Sequence, residues 1–241
     1  MSQTAWRSAA GVLLAMSVAA AQAPVGTPGA VNFIEGQVAI EGKAILPGSL
    51  EGVAAGAGQT LSTEQGKAEL LLTPGAFLRL GEQSAVKMTS LAAADTRVEL
   101  VRGTAILEVV QPAAGRLDVL NGDARITVGR PGIYEFHAGQ PAAIIRFSRA
   151  ATAADALYAW SRQRAEADAR ASIDTAQALV GTDPANFRGP GWYWNPFYGE
   201  WGFLPATYTM TGPFGEQYFS ARFYWQYAGE THGHGYFTPA Q

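Results

Sequence analysis

The chain of 241 residues contains no cysteine, which excludes disulfides, thiolate metal sites and a cysteine nucleophile. Histidine is nearly as scarce, with three in the whole chain, so imidazole acid–base chemistry has few places to act. Charged residues are 15% of the chain, against a usual level of about 25%. Seventeen basic and 20 acidic residues leave a net charge of −3, which offers no electrostatic footprint for nucleic acid. No apolar run beyond the first twenty-odd residues is long enough to span a membrane. What abounds is small: Ala occurs 44 times, Gly 28 and Pro 13, within a 48% hydrophobic total. That composition excludes a disordered, coiled-coil or collagen-like chain.

The N-terminus reads as an address. Arg7 precedes an apolar stretch from Ser8 to Ala20, and Ala19-Ala20-Ala21 and Ala21-Gln22-Ala23 fit a small-x-small cleavage pattern. Residues 1–21 are expected to be a signal peptide cut after Ala21, with 22–30 as a linker. The apolar stretch is about 13 residues, short of the roughly 20 that a spanning helix needs. The mature chain is therefore expected to be exported, periplasmic or secreted, with no transmembrane segment. Its fold must hold without disulfides in an oxidising compartment.

From Val31 to Arg149 short strands alternate with glycine-marked turns. Ala68–Leu72, Ala76–Leu80, Arg97–Val101, Thr104–Val110, Leu117–Leu120, Ala124–Val128, Ile133–His137 and Ala143–Phe147 have strand length. Asn121-Gly122 predicts a tight hairpin turn, and Pro74-Gly75 a type II turn. Ile126 and Val128 alternate with Arg125 and Thr127, as Tyr134 and Phe136 do with Glu135 and His137, so one face is buried and the other wet.

These strands carry a family resemblance. Phe33-Ile34-Glu35-Gly36-Gln37-Val38, Gly58-Gln59-Thr60-Leu61-Ser62-Thr63, Gly66-Lys67-Ala68-Glu69-Leu70-Leu71-Leu72, Gly75-Ala76-Phe77-Leu78-Arg79-Leu80 and Val98-Glu99-Leu100-Val101-Arg102-Gly103 resemble the FecR domain. The likeness covers about half the chain, residues 31–149. It implies a mainly β domain of the cell envelope, of β-solenoid or β-roll type, with no catalytic residues. Signalling members of that family regulate iron-uptake sigma factors across a membrane. This chain opens with a signal peptide instead, so only the exported interaction domain is implied.

Residues 150–181 change period. Ala153 to Val180 has no Gly or Pro, Thr152 to Asp155 reads as a capping box, and Gly181 as the stop. Arg162–Glu166, Arg164–Asp168, Glu166–Arg170 and Arg170–Asp174 are opposite charges four apart, which predicts a solvated ion-pair face. Trp160 is expected to pin this helix to the β domain, with a partner-binding helix as the alternative. A linker over 182–191 follows. The last segment, 192–241, is aromatic: of the chain's 26 aromatics, 18 lie from Phe187 onward, with only five charged residues. Trp192 and Trp194, then Trp201 and Phe203, fall at strand period around a Pro/Gly turn. They either pack as core or stay exposed as a docking surface for a ligand or partner, and the sequence leaves both open.

Catalytic motifs fail one by one. Gly66-Lys67 is followed by Ala68, which breaks a P-loop, and Leu61 interrupts a dinucleotide fingerprint at Gly56-Ala57-Gly58. His137 reads as a polar-face strand residue, and His232-Gly233-His234 lacks the further ligands a structural zinc site needs. Glu200 and Glu216 have the make-up of a glycosidase pair but not its context. No cofactor, no metal and no catalytic residue is expected. The leading reading is a non-catalytic exported envelope protein that binds a protein, glycan or cell-wall component. The alternatives are a signalling component acting through a membrane partner and, third, a glycan-active enzyme.

Overall fold

A computed structural model describes residues 26–145 except Pro47 and Ser49, then 156–180, 189–196 and 199–231. The expected signal peptide with Ala21, the capping box at Thr152, the Gly181 stop and the His232–His234 pair lie outside the described residues. The chain is mainly β, as the punctuated strands predict. β1 (Ala30–Ile40) and β2 (Lys43–Ala44) join through Glu41-Gly42, both at positive φ, 50° and 73°, as a type I′ turn requires. β3 (Thr60–Leu71) turns into β4 (Ala76–Leu80) at Pro74-Gly75. There the Ala76 N–H donates to Thr73 O at 2.8 Å and Gly75 takes φ 83°, the predicted type II geometry. β5 (Ala85–Ala92), β6 (Asp95–Arg102), β7 (Thr104–Val109), β8 (Arg116–Asn121), β9 (Ala124–Thr127), β10 (Gly132–His137) and β11 (Ala143–Ile145) complete an eleven-stranded sheet curled into a half barrel. Its path is β11-β10-β7-β4-β3-β5-β6-β8-β9, with β1 along β3. Every pair is antiparallel except β6–β8.

One predicted turn is displaced by a residue. Asn121 pairs with Ala124, so the two-residue loop is Gly122-Asp123, with Gly122 at φ 59°. Asn121 ends β8, and its side chain does a different task. Nδ2 donates to His137 O at 2.9 Å and Gln140 O at 2.7 Å, while Oδ1 accepts from the Gly139 N–H at 2.9 Å. The amide thereby ties β8 to the turn after β10.

The concave face holds the main core, including Leu70, Leu72, Leu78, Leu80, Leu107 and Val109. Strand alternation sends Glu69, Phe77, Arg79 and Glu108 to the opposite face. Two elements cover that face: α1 (Ala156–Val180), and a C-terminal unit of β12 (Gly191–Asn195), β13 (Glu200–Leu204), β14 (Thr209–Thr211), β15 (Gln217–Phe219) and α2 (Ala221–Thr231). Trp160 pins α1 as predicted: it is 9% exposed, packs on Phe33 at 6.2 Å, and donates Nε1–H to Glu35 at 2.9 Å. The expectation of a solvated ion-pair face holds for Arg162–Glu166, which is exposed at 3.6 Å, and fails for Arg164–Asp168, which is buried. The reason is coverage from a second side. β13 lies along α1, with Gly202 against Thr175 and Ala171 and the Ser172 hydroxyl donating to Phe203 O. Small residues at these positions let the helix be enclosed.

Candidate functional site

The most charged locus lies between the sheet and α1. Glu69 and Arg79 are register partners across β3 and β4, so their side chains leave the sheet together. Arg79 donates Nε–H to Glu69 at 2.6 Å, Nη1–H to Glu108 at 2.7 Å and Nη2–H to Asp168 at 2.9 Å. Arg164 on α1 donates to Glu69 at 3.1 Å and to Asp168 at 2.9 Å. Asn32 on β1 donates to the same two carboxylates, at 2.7 and 3.1 Å, and its Oδ1 accepts the Trp201 N–H at 3.1 Å. One amide thus bonds three elements.

The cluster is sealed. Arg79, Glu69 and Glu108 are wholly buried, and Asp168, Arg164 and Glu216 are 1%, 6% and 8% exposed. Burial alone would push Glu69 up, but the Arg164 and Arg79 guanidiniums outweigh it and hold its carboxyl at about 2. Burial and the adjacent Glu69 push Asp168 up against the pull of the same two arginines. Burial pushes Glu108 well above the usual carboxyl range, opposed by Arg79 and reinforced by the neighbouring Glu216 carboxyl. Two guanidiniums face four carboxyls. Among the described residues no group of three or more His, Asp or Glu is placed to hold a metal ion.

The four aromatic residues proposed for docking are inside. Trp192, Trp194, Trp201 and Phe203 are 1%, 5%, 5% and 0% exposed. Trp192 packs edge-on to Phe77 at 4.8 Å and on Phe203 at 5.3 Å, and Trp194 packs on Trp201 at 5.3 Å. The docking reading is therefore corrected: the rings form the second core, with Leu71 and Val110 of the β region. Their faces meet other rings because the sheet's outer side is apolar at Leu71 and Phe77 and needs a cover. Glu200 and Glu216 do not form a pair. Glu216 meets Glu108, whereas Glu200 is half-buried at the start of β13, pushed up by burial against the pull of Arg164. His137 stands on the wet side of β10, 3.1 Å from Glu135.

Sequence reasoning missed Asn32, Glu69, Arg79 and Glu108. The register signal was present: a type II turn at Pro74-Gly75 puts position 69 opposite 79. What hid the cluster was the assumption that a charged strand face is a wet one.

The other half of the sheet keeps its outer face open. Lys87 stands opposite Glu99, Glu99 beside Leu120, and Leu120 opposite Arg125. Below that row Arg97 lies beside Asp118, which is wholly buried and whose carboxylate accepts from the Thr127 hydroxyl at 2.7 Å. Lys87, Arg125 and Thr127 are exposed, as is the neighbouring Val101. No helix among the described residues is long and apolar enough to cross a membrane. No family model, curated protein or solved structure matches the chain. Fold and site define a mainly β protein whose curled sheet is closed on one flank by a helix and aromatic hairpins and open on the other.

Proposed function

We propose that the protein is a non-catalytic, exported envelope protein whose FecR-like β domain binds a protein, glycan or cell-wall partner on its open flank. The observation that carries this reading is the division of the sheet. Glu69, Arg79 and Glu108 of β3, β4 and β7 are locked into ion pairs beneath α1 and the C-terminal unit. A general acid or base must reach its substrate, and groups this deeply covered do not. Over β5, β6, β8 and β9 the row Lys87–Glu99–Leu120–Arg125 presents exposed Lys87 and Arg125, with Thr127 exposed beside the buried Asp118. They mix cations, acceptors and apolar atoms, the make-up of a polar interaction surface.

The test is co-sedimentation of the mature chain with purified cell-wall and outer-membrane fractions. Retention is expected, and Lys87→Glu with Arg125→Glu should abolish it without changing the thermal midpoint. Retention indifferent to those substitutions would move the surface elsewhere. Polysaccharide hydrolysis that disappears in Glu216→Gln would replace the reading with an enzymatic one.

A further inference from the structure

The hairpin of β14 and β15 closes the ionic cluster from outside. Phe214, in its turn, packs on Tyr158 at 5.3 Å and lies 5.9 Å from the Arg79 guanidinium. Tyr218 packs on Phe77 and Phe203 at 6.2 and 5.5 Å. Glu216 is the one charged residue between Thr209 and Phe219. Its carboxyl folds over Gly212, where a Cβ would overlap it, and meets Glu108 of β7.

The bonding around this pair demands a proton. Glu108 Oε2 accepts from Arg79, but Glu108 Oε1 and both Glu216 oxygens receive no N–H or hydroxyl from the described residues. Two ionised carboxyls are acceptors only and cannot bond to each other, whereas one proton between them makes a bond. Among the described residues the surroundings supply no second cation. Arg79 from β4 is already shared with Glu69 of β3 and Asp168 of α1, and Arg164 of α1 serves those same two carboxyls. β15 presents the Tyr218 phenol, pushed up by burial and these acids, and β10 presents apolar Ile133 opposite Glu108.

We propose that the Glu108–Glu216 pair is a proton-held latch. While one proton is shared between the two carboxyls the β14–β15 hairpin is seated; when that proton leaves to solvent the hairpin swings off the sheet and uncovers Phe77, Tyr158 and the Arg79 cluster. The upward displacement of Glu108 by burial agrees with a pair that keeps its proton through the acid range.

Amide hydrogen exchange of residues 209–219 in the full-length mature chain tests this, corrected for intrinsic rates and measured where reclosing outruns exchange. Between about pH 5 and about pH 9, which brackets the range above ordinary carboxyl titration, hairpin protection should fall by up to about tenfold per pH unit, the limit for one released proton. Amides of β3 and β4 should keep theirs. Glu216→Gln and Glu108→Gln replace the proton with a permanent amide donor, and each should hold the hairpin protected throughout. Should Glu108→Gln fail to fold, Glu216→Gln still decides. A wild-type hairpin whose protection is independent of pH, or a fall that persists in Glu216→Gln, would overturn the latch.

Discussion

At the scale of single residues, Arg79 is the group whose loss should matter most. Removing it leaves Glu69, Glu108 and Asp168 without their shared cation in a site that water does not reach. Breaking one partner of a buried ion pair costs about 3–5 kcal/mol. Arg79→Met is therefore expected to lower the unfolding free energy by that much, read as a lower urea midpoint at unchanged slope, and a variant as stable as wild type would show that the cluster contributes nothing. Acidification should act through Glu69. Its folded value of about 2 lies below its ordinary 4.5, so its contribution is present above the ordinary value and lost as pH falls toward about 2. Glu108 is displaced upward, so its contribution is full in acid and lost as pH rises through its folded value. Denaturation measured across the acid range should show a steep limb that Glu69→Gln flattens. The individual residues were only partly legible beforehand. Pro74-Gly75 fixes the pairing of positions 69 and 79, but nothing local says that Asp168, about ninety residues further on, will complete the set.

Elements were easier to foresee than their surroundings. Glycine punctuation and period-2 alternation disclose the strands because turn chemistry is local, and the Gly- and Pro-free run discloses α1 for the same reason. The coverage of α1 was not foreseen, since arginines four residues from acids look the same on a wet helix and a dry one. The displaced hairpin turn also has a local consequence. Asn121→Ala removes two donated bonds and one accepted bond at the end of β8, and a loss of about 1–3 kcal/mol is expected for the groups left unpaired. Thermal unfolding would read it, and a neutral result would assign Asn121 no part in joining β8 to β10. Gly202 tests the other contact: a Cβ there meets Thr175 and the Ala171 carbonyl. Gly202→Val should force β13 off α1, with increased acrylamide quenching of Trp194 and Trp201.

For the whole molecule, the aromatic C-terminal unit completes a core that the β region begins. Trp192, Phe203 and Tyr218 pack with Leu71 and Phe77, and fully burying a side chain of that size contributes about 1.5–3 kcal/mol. A fragment ending at Gly181 is expected to bind a hydrophobic dye and to melt at lower temperature than the intact mature chain. A fragment with unchanged melting would make the unit dispensable. Composition pointed to this segment but not to its destination, because burial depends on an apolar patch some 120 residues earlier in the chain. Asn32 sets the timing of it all. Its one side chain bonds groups 37, 136 and 169 residues away, so the earliest strand waits for almost the last. Contacts of that separation slow folding because the intervening chain must be closed first. Glu69 and Arg79 can pair as soon as the β3–β4 hairpin forms, but the Asn32 side chain stays hydrated until α1 and β13 dock around it.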